Sequence, residues 1–147
     1  MATCPARSGS MSRPHPEQGY RACLGLMRLG RVSEGLPLLE EGVSLTEGLG
    51  VKAYLALWTV HLGEGLLAAG QVDRALAVTR QALELARTHK EEGHQAWARR
   101  LLGDIHARLA PADLGQAEAC YREAAALATR LEMAPLLAQC QLSLAGC

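Results

Sequence analysis

Residues 62–104 read LGEGLLAAGQVDRALAVTRQALELARTHKEEGHQAWARRLLGD, and this stretch decides the fold. It opens on Leu62-Gly63, and forty residues later the pair recurs as Leu102-Gly103. Between the two pairs, Val72, Ala75, Leu76, Thr79, Ala82, Leu83 and Ala86 follow the i, i+3, i+4, i+7 spacing. Asp73, Arg74, Arg80 and Glu84 take the other side. That pattern predicts an amphipathic helix with one face to bury.

The same interval extends outward in both directions. Forty residues back from Leu62-Gly63 stand Ala22-Cys23, and forty on from Leu102-Gly103 stand Leu142-Ser143. Gly30 and Gly70 each lie seven residues after the small residue of their pair, Gly35 and Ala75 five further, and Gly42 and Ala82 seven beyond those. The third unit carries Gly103, Ala117 and Ala124 after a two-residue insertion at Ala110-Pro111-Ala112-Asp113, a turn by composition. Small side chains at fixed offsets let two antiparallel helices cross closely. A four-helix bundle has no reason to repeat them, so an internal repeat is the better account.

Seven helices follow, at about 17–29, 32–48, 51–69, 72–89, 92–109, 113–132 and 134–145. Gly30, Gly48, Gly50, Gly70 and Gly93 suit helix C-termini. Asp113 with Gln116 resembles a capping box. Pro135 fits a first turn, and Pro37 falls near one. Hydrophobic residues make up 49% and aromatics only 3%, with no Phe, so small and aliphatic side chains must fill the core. An all-α chain is expected.

The pattern of a bulky residue and Gly in one helix, then a small residue, an aromatic and an Ala in the next, resembles the tetratricopeptide repeat. Leu102-Gly103, Ala117, Tyr121 and Ala124 carry it most fully. Leu62-Gly63, Ala75, Thr79 and Ala82 lack the aromatic, and Ala22-Cys23, Gly35, Leu39 and Gly42 diverge further. The helix-ending Pro of the motif is absent from all three. The resemblance implies a right-handed α-solenoid of three helical hairpins plus a seventh helix, over residues 17–147, with repeats at about 17–50, 51–90 and 91–133 and a half-repeat at 134–147. Gly30–Ser44, Glu91–Ile105, Gln116–Met133 and Pro135–Gly146 are further similar to the C-terminal tail of large bacterial ATPase and adenylate/guanylate cyclase regulatory proteins. That parentage implies a detached tail or truncated fragment of a larger signalling protein. No G-x-x-x-x-G-K-[ST] stands here, so no catalytic residue carries over.

In that family the concave face of the first helix of each hairpin forms a groove for a peptide or partner protein. Counted from the small residue, the groove positions are Tyr20, Leu24, Met27 and Arg28 in the first unit; Leu57, Val60, Glu64 and Leu67 in the second; and Trp97, Arg100, Asp104 and Arg108 in the third. Trp58 falls one position off the face. An acidic group on a ligand would pair with Arg100 and Arg108.

Other features carry less. Lys plus Arg and Asp plus Glu both number 15, so no basic balance points to nucleic acid. No run approaches the ~20 apolar residues of a membrane span. Residues 1–16 lack a signal peptide's apolar stretch and read as a disordered lead-in, with Met11 a second possible start. Cys4, Cys23, Cys120, Cys140 and Cys147 form no C-x-x-C and suit free thiols in a reducing cytoplasm. His89 and His94 flank two carboxylates, but Gly93 and a helix end separate them, so a solvated turn is preferred to a metal site. His61 and His106 have no nucleophile at motif spacing. Neither cofactor nor catalysis is expected. The competing expectation is a cap that dimerises through the uncharged last helix, by Leu136, Leu137, Leu142 and Leu144.

Overall fold

The computed structural model describes residues 16–50, 52 and 54–146, with side chains from Ala22 onward. Among the described residues the chain is all-helical: α1 (Pro16–Arg28), α2 (Val32–Gly48), α3 (Leu55–Ala68), α4 (Val72–Thr88), α5 (Glu92–Arg108), α6 (Leu114–Arg130) and α7 (Ala134–Ala145). The expected lead-in lies outside the described residues, apart from Pro16, which opens α1. None of these helices is long and apolar enough to cross a membrane.

Each helix packs on the next, and the odd-numbered ones also touch in series, α1 on α3, α3 on α5 and α5 on α7. The even-numbered helices do not approach one another's backbones. Long side chains span that wider gap, as where Arg74 of α4 reaches Glu40 of α2 at 2.8 Å and Gln81 reaches Glu47 at 3.2 Å. The odd helices therefore form the tighter layer.

The small residues set the crossings. A Cβ built on Gly103 would stand 2.6 Å from the Tyr121 ring, and one on Gly63 would overlap the Thr79 hydroxyl. Tyr121 and Thr79 hold the same place in their units. On the α2–α3 side, a Cβ on Gly42 would meet Trp58 at 2.6 Å, so Trp58 is a core residue beneath a glycine notch. Leu39, Leu66, Leu101 and Ile105 are wholly shielded in the main core, which runs from Cys23 of α1 to Cys120 of α6. Each such side chain contributes about 1.5–3 kcal/mol on leaving water. A second, smaller core joins Ala96, Ala124, Ala128, Leu136 and Cys140 beneath α7.

The turns explain most boundaries. After α3, Gly70 takes φ +81° while its N–H bonds Leu67 O at 3.0 Å and the N–H of Gln71 reaches back to Leu66 O at 2.9 Å. That is the Schellman closure, which favours glycine. The expectation for Gly93 is corrected: Lys90 closes α4 with φ +57°, donating to Arg87 O at 3.1 Å, and Gly93 falls inside the first turn of α5. Glu132 plays the same part after α6 with φ +57°. Gly48 is still helical, and Gly50, at φ +69°, is the left-handed residue after α2. The third helix starts at Leu55 rather than 51, because Tyr54 sits at φ +67° immediately before it. Pro37 is also deeper than expected. It is the sixth residue of α2, beyond the turn with free N–H groups, so the helix forgoes one backbone bond there. Asp113 does cap α6, its Oδ1 accepting from the N–H of Gln116 at 3.1 Å.

Candidate functional site

The layer of odd helices carries a concavity of about 480 Å³. Its lining follows the repeat interval. Leu57 of α3 and Trp97 of α5 form one rung, Leu24 of α1 and Glu64 of α3 a second, Arg28 of α1 and Ala68 of α3 a third. Met27, His61, Arg100 and Gln139 of α7 complete the wall. The structure thus brings together Leu24, Met27, Arg28, Leu57, Glu64, Trp97 and Arg100 from the expected groove set.

The other expected positions lie elsewhere. Val60 and Leu67 are buried in the main core. Arg108 is exposed and outside the lining. Asp104 sits behind Arg100 rather than in the lining. Tyr20 precedes the residues whose side chains are described.

The polar groups of the wall are largely engaged with one another. His61 Nδ1 lies 2.9 Å from Glu64 Oε2. Arg100 Nη2 donates to Asp104 Oδ2 at 2.6 Å, and its Nη1 donates to Gln139 Oε1. Tyr121 donates its hydroxyl proton to Asp104 Oδ1 at 2.6 Å. The guanidinium carbon of Arg100 stands 6.0 Å from the centroid of the Trp97 ring, at the edge of cation–π range. Arg100 is therefore occupied, and the expectation that an acidic ligand would pair with Arg100 and Arg108 together does not fit this geometry. Arg28, in contrast, is exposed at the rim and makes no ion pair among the described residues.

Three lining residues escaped the sequence reading. Ala68 could have been found, since it stands forty residues after Arg28. His61 lies three residues before Glu64, the spacing of one helix face. Gln139 gave no signal, because α7 turns Leu136 and Cys140 inward and leaves the strict register.

The remaining candidates are placed as follows. His94 Nδ1 lies 2.8 Å from Glu91 Oε2, while His89 caps the end of α4. Among the described residues no three His, Cys, Asp or Glu groups gather as a metal site. His106 is buried, its Nδ1 has no hydrogen-bond partner, and burial holds its pKa below the ordinary value. Cys23, Cys120 and Cys140 are buried and free, and burial pushes each thiol up, away from the reactive thiolate. Cys120 and Cys140 belong to different cores. Cys4 and Cys147 lie outside the described residues. The proposed dimer face is reduced as well. Leu136 is fully buried within its own chain and Leu137 and Leu144 are half-buried, leaving Leu142, 75% exposed.

No protein-family model matches the sequence, and a search of curated proteins returns no match.

Proposed function

We propose that this chain is a non-catalytic binding module, a tetratricopeptide-like right-handed α-solenoid whose concave side holds a short segment of a partner protein. The observation that carries the proposal is the convergence of residues forty apart in sequence on one concavity. Its volume lies in the range of pockets that enclose small ligands, roughly 300–1,000 Å³. Met27, Leu57 and Trp97 offer an apolar wall in which a partner's aliphatic side chain loses its contact with water. A half-buried tryptophan in such a place is a typical energetic anchor. Arg28 at the rim suits a carboxylate next to that side chain. Glu64 and Arg100 are bonded to His61 and Asp104 and serve the wall rather than any reaction.

The resemblance to the tails of bacterial ATPase and cyclase regulatory proteins supports a place in cytoplasmic signalling, where thiols such as Cys23, Cys120 and Cys140 stay reduced. The test is an array of nonapeptides probed with the wild type, Trp97→Ala and Arg28→Glu. Trp97→Ala should weaken the best binders by about tenfold or more, as a lost anchor does. Arg28→Glu should discriminate against the acidic peptides among them. Peptides bound equally by all three proteins would show that the concavity is not the binding surface.

A further inference from the structure

α7 packs mainly on α6 and also touches α5, the helix that forms one wall of the concavity. α7 fully buries Leu136 and Cys140 against three alanines, Ala96, Ala124 and Ala128, with Leu127, Met133 and Leu137 half-buried around them. Three of its five fully buried side chains are alanines, so this dock is smaller than the leucine-rich core under α1–α6. Two side chains tie it to the concavity. Trp97 packs against both cores. Gln139, on the exposed side of α7, accepts a hydrogen bond from Arg100 Nη1. Arg100 is a rigid anchor for that bond, because Asp104 fixes its other nitrogen and Tyr121 fixes Asp104. The chain of bonds from Tyr121 to Gln139 therefore spans α6, α5 and α7.

We infer that Gln139 is a positioning residue, a latch that holds α7 docked, and that α7 opens as a unit of its own. Local opening of this kind is drawn from the parts of a fold with few buried apolar contacts. The consequence for binding follows from linkage. Gln139, Arg100 and Trp97 all line the concavity. An occupant touching all three meets that arrangement only while α7 is docked, so occupancy and docking stabilise each other reciprocally. This consequence rests on the groove reading above; the latch itself does not.

Cys140 reports the latch without any ligand. Its thiol is shielded by the dock, as those of Cys23 and Cys120 are by the main core. The full chain is pulse-labelled with N-ethylmaleimide, and peptide mass spectrometry reads each cysteine separately. In Gln139→Ala, Cys140 should react roughly three- to tenfold faster, the effect of one hydrogen bond. Cys23 and Cys120 should keep their rates. Gln139→Glu retains an acceptor for Arg100 and should return Cys140 to the wild-type rate or below. An unchanged Cys140 rate in Gln139→Ala, or a parallel rise at all three thiols, overturns the inference. Because no ligand enters, either result leaves the groove reading intact, and peptides indifferent to Trp97→Ala would leave the latch intact.

Discussion

Replacing Gly103 by Ala tests the packing that shapes the whole repeat. In an open helix the change is favourable by about 1 kcal/mol, because alanine restricts the unfolded chain. At Gly103 the added methyl would stand 2.6, 2.7 and 2.9 Å from three atoms of the Tyr121 ring, inside any tolerable contact. The ring has nowhere to go. It is only 3% exposed, and its hydroxyl is tied to Asp104. Overpacking of this kind costs about 1–3 kcal/mol. Moving the ring also gives up a bond to a charged acceptor, about 1.5–3 kcal/mol. Against the intrinsic gain, a net loss of about 2–4 kcal/mol is expected. Gly25 is the control. It lies inside α1 with nothing within 4 Å of a built Cβ, so Gly25→Ala should stabilise by about 0.5–1 kcal/mol. Urea unfolding followed by circular dichroism separates the two. With a slope of about 2 kcal/mol/M, the Gly103→Ala midpoint should fall by about 1–2 M and that of Gly25→Ala should rise slightly. A Gly103→Ala protein at least as stable as the wild type would refute the close-crossing argument.

Three further outcomes are expected. Thr79→Val should raise stability by about 1 kcal/mol in the same assay, since the Thr79 hydroxyl is buried without a partner and a methyl carries no such penalty. Lys90→Gly should also stabilise, by about 1 kcal/mol, because Lys90 holds a left-handed conformation after α4 that glycine adopts without strain; a loss would show that the side chain contributes more than the strain. His106→Leu should flatten the pH dependence of stability. With its folded pKa lowered by burial, the neutral ring favours the fold above the unfolded value of about 6.5, and that stability is lost as pH falls from there toward the folded pKa. Unfolding curves between pH 7.5 and 5.5 should therefore converge for the variant and diverge for the wild type.

Much of the helical layout was legible because glycines and a 3.6-residue period punctuate the chain strongly. The boundaries that moved did so for backbone reasons invisible in composition. Lys90 and Glu132 adopt the left-handed turn that Gly30 and Gly70 advertise, and Tyr54 does so at the start of α3. The concavity was legible where repeat register governs it, at Leu57 and Trp97 or at Arg28. It failed where side chains choose partners. Arg100 and Asp104 are four residues apart, a spacing that could have flagged their pairing, but the reach from Arg100 to Gln139 depends on how α7 rotates to bury Leu136 and Cys140. Arg108 keeps register yet stands outside the lining, exposed in the last turn of α5.

The two tryptophans offer the most direct test of the groove. Trp97 lines the concavity, while Trp58 is sealed against Gly42 in the core. Each is isolated in turn, in Trp58→Phe and Trp97→Phe, and its fluorescence is followed during titration with a peptide selected on the array. The account predicts a saturable change from Trp97 alone and none from Trp58. A response carried by Trp58, or binding that leaves Trp97 silent, would contradict it.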